Sequence, residues 1–288
     1  MDRVETRELT YFVTVAEELH FGRAAERLGI AQPPLSRAIK RLERRLGVAL
    51  LDRGSRHVAL TPAGEVLLHE GSRALDAVAA AALRTRRAGQ PDPRLVVATK
   101  PGGDAGLLPD ILAAYEREPD AIPVDVHLCG VGEQMSLLRD GRADAAFLHA
   151  PHDDLSGIDT EELLVQRQVA VLPAWHRLAG RDGVRLADLE GETMPRWPGM
   201  AADAASGPEV RDAGQLMQLI VLGHTIAVLP ESAVGHVRRD LVCVPVLDAP
   251  LVTMMVGWLE QSRSRALAAF VRAAAAVANR HQPVMAQG

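Results

Sequence analysis

The stretch from Phe21 to Leu46, FGRAAERLGIAQPPLSRAIKRLERRL, constrains the fold of this chain more than any other. It predicts a short helix from Phe21 to Leu28, in which paired alanines allow another helix to approach closely. Gly29 then supplies a natural helix stop. A further helix begins at Pro33-Pro34, because N–H groups in a first turn are unpaired anyway and their loss costs little. The pattern therefore predicts two helices joined by a tight turn.

The second of these helices has two chemically different faces. Its apolar positions form one stripe, which we expect to be buried: Leu35, Ala38, Ile39, Leu42 and Leu46. Its outward positions are mostly basic or hydrogen-bonding: Gln32, Pro33, Ser36, Arg37, Lys40, Arg41 and Arg44. Gln and Arg can make bidentate contacts with purine edges, whereas Ser and Lys suit phosphates or single base atoms. The face predicts a helix that lies in a DNA groove. A solvated face on an ordinary helical bundle is the alternative.

The distribution of charge favours the nucleic-acid interpretation, although the net charge of −5 does not. From His20 to Leu60 there are nine Lys and Arg against three Asp and Glu, a balance of +6. From Gln90 to the end there are 17 basic and 26 acidic residues, a balance of −9. A basic N-terminal unit joined to an acidic body is the arrangement expected when only one end of the chain meets phosphate.

The segments around this stretch complete a small DNA-binding unit. A first amphipathic helix is indicated by apolar residues at helical spacing: Leu9, Phe12, Val13, Ala16 and Leu19. After the helical stretch, two β-type runs, Val48–Leu51 and His57–Leu60, flank a Gly-Ser turn. The turn carries Arg53 and Arg56, which predicts a β-wing whose arginines reach the DNA backbone or minor groove.

A long helix follows the wing. Thr61 is its expected N-cap and Pro62 its first residue. The helical pattern runs from Ala63 to about Arg87, with apolar residues Ala63, Val66, Leu67, Ala74, Leu75, Val78 and Ala82. We expect a second copy of the chain to cover this stripe, with packing against its own domain as the alternative. The breaker-rich segment GQPDP, residues 89–93, predicts a hinge.

The 288 residues are enough for more than one core, and from Arg94 the rhythm changes to alternating strands and helices. The series RLVVAT, LLPDILAAYERE, PVDVHLC, QMSLLRDG and ADAAFLHA predicts β-α-β-α-β and hence a parallel sheet. A second series follows, with strands in VQRQVAVLP, TIAVLPES and LVCVPVL and a helix near Gln215–Leu222. The chain then returns through LVTMMVGW to a closing helix at Arg263–Asn279. The pattern thus predicts two α/β lobes, with the chain passing from one to the other twice, and we expect the lobes to form a clamshell.

Ligands of open α/β sheets bind at the carboxyl ends of strands, near helix N-termini. The residues expected there form the candidate effector site: Lys100, Gly102, Gly103, Asp104, Gly130, Val131, His149, Arg196, Trp197, Pro198 and His224. Lys100 is one of only two lysines in the chain. A surface salt bridge is the alternative role for it.

Other chemistry finds little support in the sequence. His149, His152 and His224 do not have the spacing of a strong metal site, and Cys129 and Cys243 suggest buried structural thiols rather than disulfides or a redox sensor. The segment PGGDAG lacks the lysine and hydroxyl of a nucleotide-binding loop, and no nucleophile–base–acid set is apparent. We therefore expect that the protein is not an enzyme and that it binds no cofactor and no metal. Without an apolar signal core or membrane-length run, a cytoplasmic protein is expected.

Residues 1–88 closely resemble the N-terminal domain of LysR-type transcriptional regulators. The resemblance rests on AAERLGIAQPPLSRAIKRLERRLGVALLDR and on the RHVALTPAGE that follows. It implies a winged helix-turn-helix, a dimerising linker helix, and a C-terminal α/β effector domain like that of periplasmic binding proteins. It also implies DNA contacts at Gln32, Pro33, Ser36, Arg37 and Arg56. The C-terminal part resembles the family's effector domain more weakly, and it carries Gly102 and Val131 where many members have hydroxyl residues.

Together these observations predict a winged helix-turn-helix at 1–61, a linker helix at 62–88, a hinge at 89–93 and an effector domain at 94–288. Within the effector domain, the first lobe is expected at about 94–161 and 251–285, and the second at about 162–250. The expected function is sequence-specific DNA binding controlled by a small effector between the lobes. Double-stranded promoter DNA and further copies, as a homodimer or homotetramer, are the expected partners, and RNA polymerase is a further candidate. The alternatives are a ligand-independent architectural DNA-binding protein and, less favoured, a metal-responsive repressor.

Overall fold

A computed structural model describes residues 4–53, 58–197 and 206–281. The chain divides into two compact units. The N-terminal unit comprises Met1–Thr85 with Arg139–Gly141, and the C-terminal unit comprises the rest.

The N-terminal unit is a winged helix-turn-helix followed by a long helix, as the sequence predicted. Its elements are α1 (Thr6–Glu18), α2 (Phe21–Arg27), α3 (Gln32–Leu46), β1 (Leu51–Arg53), β2 (Val58–Leu60) and α4 (Pro62–Ala88). Phe12, Leu35 and Ile39 are fully buried between the first three helices. The turns after α2 and α3 adopt a left-handed backbone, which glycine supplies at Gly29 (φ 66°) and Gly47 (φ 73°).

Several expectations about this unit need correction at the ends of elements. Leu19 and Leu46 were expected in the buried stripes but are 46% and 38% exposed. Leu19 follows the last residue of α1, and Leu46 is the last residue of α3. Val48 was expected to begin the first wing strand, yet it is 47% exposed and β1 begins at Leu51. The N-cap at Thr61 is confirmed, because its hydroxyl accepts the Gly64 N–H at 3.1 Å.

The C-terminal unit contains two sheets. The first has the order β4-β3-β5-β10-β6 and the second the order β8-β7-β9. The strands are β3 (Leu95–Thr99), β4 (Val124–Leu128), β5 (Ala145–Ala150), β6 (Ile158–Gln166), β7 (Gln168–Pro173), β8 (Ala227–Pro230), β9 (Leu241–Val246) and β10 (Val252–Leu259). The α-helices are α5 (Leu108–Tyr115), α6 (Gln134–Arg139), α7 (Ala213–Val221) and α8 (Arg265–His281), with short 3-10 helices at Leu186–Leu189 and Glu231–His236.

The expectation of parallel sheets is right only for part of the first sheet. β3 pairs in parallel with β4 and β5, whereas β10 runs antiparallel to both β5 and β6. In the second sheet, β7 runs antiparallel to both β8 and β9. β10 runs the other way because it returns from the second lobe rather than following a helical crossover.

The first crossing between the lobes lies later in the chain than expected. The sequence pattern predicts one strand at 165–173 and a second lobe from about 162, but β6 stays in the first sheet as far as Gln166. β7 begins at Gln168 in the second sheet, so Arg167 alone separates the two strands. The return crossing lies between β9 and β10, close to the expected 250/251 boundary. The change of sheet falls in the polar triplet at 166–168, between the apolar runs LLV and VAVLP.

The core of the first lobe is built between its sheet and two helices. Tyr115 of α5 and Phe270 of α8 are buried and meet edge to face, with their ring centroids 5.6 Å apart. Such a contact adds to the stability that burial of the rings provides. Among the described helices, none combines the length and apolarity needed to span a membrane.

Candidate functional site

The first candidate site is the exposed face of α3. Leu35, Ala38, Ile39 and Leu42 are at most 2% exposed, and this buried stripe fixes how the helix is rotated. The opposite side therefore carries the residues singled out from the sequence. Gln32, Pro33, Arg37 and Lys40 are exposed, and Ser36 is half-buried.

This face is strongly basic. Arg37, Lys40, Arg41 and Arg44 are all exposed, and they span two helical turns, about 11 Å along the axis. Amine and guanidinium groups at this spacing can neutralise successive phosphates or reach base edges. These side chains can bind a nucleic acid, and this face of α3 carries no combination of groups suited to covalent catalysis.

A partly buried ion pair links the end of this helix to α1. Arg45 Nη1 lies 2.6 Å from Glu8 Oε2, and Glu8 is only 7% exposed. Because α1 supplies Glu8, the pair joins the first helix to the last turn of α3. A charge-assisted hydrogen bond is roughly twice as strong as one between neutral groups.

Two predicted DNA-contact residues belong to the wing. Arg53 is the last residue of β1 and pairs with Val58, but its side chain lies outside the part that the structure describes. Arg56 also lies outside the described residues. The roles of both remain predictions.

The second candidate site is one edge of the five-stranded sheet. β3, β4 and β5 run parallel, and β6 runs in the same direction because both it and β5 are antiparallel to β10. Their carboxyl ends therefore meet at one edge. Lys100 follows β3, Gly130 follows β4, and His149 and Gln166 lie at the ends of β5 and β6.

The turn after β3 is shaped around the lysine. Gly103 N–H donates to the Lys100 carbonyl at 2.8 Å. A methyl group at Gly103 would lie 2.7 Å from Lys100 Cγ, so only glycine lets the turn pack on the lysine stem. Gly102 has a left-handed backbone with φ 73°. Asp104 Oδ2 accepts the N–H of Leu108, the first residue of α5, at 3.3 Å.

His149 is the most perturbed titratable group at this edge. It is 3% exposed, and Asp153 Oδ2 accepts its backbone N–H at 2.7 Å. Burial, and then the nearby charges of Lys100 and His152, lower its pKa to about 3. The imidazole is therefore neutral near pH 7, and its buried Nδ1 has no hydrogen-bond partner within the described part of the chain.

Burial also shifts the pKa values of the groups around it. It lowers the pKa of Lys100, an effect opposed by the negative charge of Asp153. It raises the pKa of the Cys129 thiol to about 11, and Glu133 adds to this effect. A thiol with such a pKa stays protonated and unreactive near neutral pH, in keeping with the structural role predicted for Cys129.

The loop after β4 approaches the second lobe. Val131 N–H donates to the Arg211 carbonyl at 3.1 Å, and a Cβ on Gly130 would lie 3.1 Å from the same oxygen. The Val131 backbone N–H is thus paired within the protein itself. This contact brings the two lobes together beside the Lys100 turn.

The remaining candidate residues are not joined to Lys100 and His149 by any described contact. Arg196 donates from Nε to the Gly207 carbonyl at 3.0 Å and so holds its own loop together. Trp197 is partly buried against the core of the second lobe. His224 is exposed after α7. Pro198 lies outside the described residues.

Sequence reasoning missed two buried glutamines. Gln134 is fully buried at the start of α6, and neither polar atom of its amide has a described hydrogen-bond partner. Gln166 is 1% exposed, and its Oε1 accepts the Ser232 N–H at 3.1 Å, which ties the end of β6 to the second lobe. A polar residue at the end of an apolar strand was the available signal for Gln166. Nothing comparable distinguishes Gln134.

The three histidines weighed as metal ligands, His149, His152 and His224, do not form such a site among the described residues. In the stretches that the structure describes, no group of three or more His, Cys, Asp or Glu residues is placed to hold a metal ion.

Comparison with known proteins gives matches along nearly the whole chain. Residues 6–65 match the bacterial regulatory helix-turn-helix protein family, lysR family, and residues 88–279 match the LysR substrate binding domain. The Hca operon transcriptional activator HcaR of Escherichia coli (strain K12) is 31% identical over 93% of this chain and 96% of its own length.

BenM of Acinetobacter baylyi (strain ATCC 33305 / BD413 / ADP1), an HTH-type transcriptional regulator, is 31% identical over 87% of this chain and 88% of its own length. The crystal structure of full-length BenM superposes with a TM-score of 0.53 at 28% identity, covering 96% of this chain and 97% of that one. The order of domains, the fold and the sequence agree. The chain therefore belongs to the LysR family of DNA-binding transcriptional regulators.

Proposed function

We propose that this regulator recognises a specific promoter sequence with α3 and the wing, and that a small effector bound at the edge of the first sheet controls it. The single observation that carries the DNA part is the exposed polar face of α3, set opposite a fully buried stripe. A helix presented in this way can enter the major groove of DNA.

The residues on this face divide by chemistry. Gln32 and Arg37 can each form two hydrogen bonds with a purine edge, which supplies about 1–3 kcal/mol of discrimination per good contact. Lys40 and Arg44 suit phosphates, which give affinity but no sequence information. Ser36 and Pro33 are expected to line the protein–base contact, and Arg53 and Arg56 to anchor the wing.

Replacing Arg37 by Ala should weaken binding to the specific promoter site about tenfold or more and weaken binding to random DNA much less, because a lost base contact affects only the cognate sequence. Arg44→Ala, on the same face, is the matched control and should weaken both kinds of binding alike. Gel shifts with operator and random duplexes at one salt concentration measure both. Equal losses for Arg37→Ala on the two DNAs would show that Arg37 does not read bases.

We further propose that the chain binds DNA as a homodimer or homotetramer. Ala74, Val78 and Ala82 follow one another at four-residue spacing on α4 and are all exposed, with Val78 53% exposed. A second copy of α4 would bury them. RNA polymerase is a further candidate partner of a promoter-bound regulator.

The effector part of the proposal is supported by the cluster of Lys100, His149 and His152 at the carboxyl edge of the sheet. The cluster combines an amine, a buried neutral imidazole and turns rich in backbone N–H groups, which are the features of a small-ligand site. Because Gly102 and Val131 carry no hydroxyl, the Lys100 amine is the donor that we expect to hold the effector.

A thermal-shift screen with small metabolites tests this. A ligand that binds only the folded protein at one hundred times its Kd adds about 2.7 kcal/mol of stability and so raises the Tm. Lys100→Ala should abolish the shift, whereas Lys40→Ala, which removes the other lysine of the chain, should leave it unchanged. A screen without any Lys100-dependent shift would favour the ligand-independent architectural protein. Metal found by elemental analysis of the purified protein would instead favour a metal-responsive repressor.

A further inference from the structure

Glu43 lies near the end of α3, and its carboxylate contacts the segment that leads into the wing. Glu43 Oε1 accepts the backbone N–H of Leu50 at 3.1 Å and that of Leu51 at 3.3 Å. Leu51 is the first residue of β1, where it pairs with Leu60. One side chain of the DNA-facing helix is therefore bonded to the base of the wing.

The base of the wing is held from two sides. Thr61 N–H donates to the Leu50 carbonyl at 3.0 Å, and the Thr61 hydroxyl donates to the Ala49 carbonyl at 2.7 Å. These bonds fix the segment to the start of α4, while Glu43 fixes it to α3. Leu50 and Leu51 are 1% and 4% exposed, so water has little access to replace the carboxylate.

The charge of Glu43 is opposite to what its surroundings need for binding DNA. It lies in sequence between Arg41 and Arg44, on a helix whose exposed face is basic. A carboxylate at such a place repels phosphates, so removal of its charge alone should strengthen binding. If Glu43 positions the wing, loss of its hydrogen-bond acceptor should instead weaken DNA binding.

We propose that Glu43 is a positioning residue for DNA binding: it sets the wing relative to α3 through its bonds to Leu50 and Leu51. The inference rests on the DNA contacts proposed above for α3 and the wing. Without the carboxylate, α3 still presents its own contacts, but the wing is no longer held at one angle to it. The phosphate contacts of the wing are then lost in part.

Three variants of Glu43 in the full-length chain separate charge from position. Glu43→Gln removes the charge but keeps an oxygen acceptor, and it should bind the promoter at least as tightly as the natural chain. Glu43→Ala removes both and should bind about tenfold more weakly, with a slope of log K against log salt shallower by about 1, the value for one lost phosphate contact. Glu43→Asp keeps the charge but is one methylene shorter, so it should also weaken binding.

Glu26→Ala is the matched control, because it removes an exposed carboxylate from α2. It should not weaken binding. The Tm of each variant is measured alongside, and Glu43→Asp serves as the test if Glu43→Ala does not fold. The inference would be overturned if Glu43→Ala bound the promoter as tightly as Glu43→Gln, with an unchanged salt slope. If Glu43→Ala is unfolded, full promoter affinity of Glu43→Asp would overturn it instead.

Arg56→Ala distinguishes this inference from the proposed function on which it rests. If Arg56→Ala leaves promoter affinity and salt slope unchanged, the proposed wing contact is wrong and the inference falls with it. Suppose that Arg56→Ala weakens promoter binding and that Glu43→Ala weakens it by the same factor whether or not Arg56 is present. The wing contact is then right, but Glu43 does not act through the wing. Positioning through the wing predicts that the combined loss is smaller than the sum, because both changes remove the same contact.

Discussion

At the scale of single residues, the environment of His149 changes what an ordinary side chain can do. A histidine with a pKa of 6.5 is partly charged near neutral pH, whereas this one, buried beside Lys100, has a pKa of about 3. A neutral imidazole can accept or donate one hydrogen bond to a ligand. It also makes the stability of the C-terminal unit sensitive to acid.

His149 should make the protein less stable as the pH falls through 6.5. In the unfolded chain its imidazole binds a proton near pH 6.5, while in the folded chain it stays neutral down to about pH 3. The unfolded state thus binds more protons between these values, so the free energy of unfolding falls as the pH falls. For this residue alone, the loss between pH 7 and pH 5 is about 2 kcal/mol.

Urea unfolding at pH 7 and pH 5 measures the effect. His149→Gln should remove about that much of the pH dependence, whereas the same substitution at the exposed His127 on β4 should not. A His149→Gln variant that loses as much stability on acidification as the natural chain would contradict the assignment of a neutral buried imidazole.

At the scale of elements, α4 divides its apolar residues between two uses. Ala63, Leu67 and Leu75 pack against the core of the N-terminal unit, as the alternative interpretation of the sequence had it. Ala74, Val78 and Ala82 are exposed and remain available to a second copy. A helix about 40 Å long can serve both purposes, because only part of its circumference faces its own domain.

Val78→Asp should shift the protein towards monomers. Burying a valine stabilises an interface by about 1.5–3 kcal/mol, so a charge in its place should raise the dimer dissociation constant at least about tenfold. Sedimentation equilibrium measures this constant. Val48→Asp is the matched control, because Val48 is 47% exposed but lies outside α4. Equal dissociation constants for Val78→Asp and the natural chain would place the interface elsewhere.

At the scale of the whole molecule, positive charge is concentrated in the DNA-binding unit and negative charge in the rest of the chain. The net charge of −5 conceals a balance of +6 between His20 and Leu60. The basic residues act locally, because salt screens charges beyond about 8–10 Å at physiological ionic strength. An acidic body therefore does not prevent the basic face of α3 from binding phosphate, and it limits non-specific attachment of the rest of the chain to DNA.

The sequence by itself determined the helix-turn-helix and the rotation of α3. Leu35, Ile39 and Leu42 recur at helical spacing, and this local periodicity decides which face is buried without any distant contact. The same is true of the cap at Thr61 and the helix stop at Gly29. Local chemistry also indicated which loops follow strands, and so the Lys100 and His149 positions of the candidate effector site.

Only the tertiary structure decided what depends on residues far apart in the chain. The strand direction of β10, the crossing at Arg167 and the contact of Val131 with Arg211 arise when distant segments pair, which periodicity does not encode. The neutral state of His149 depends on burial by several elements and on Lys100, 49 positions earlier in the chain. The bond from Glu43 to the wing likewise joins side chain to backbone across a turn, so no pattern of residue types could reveal it.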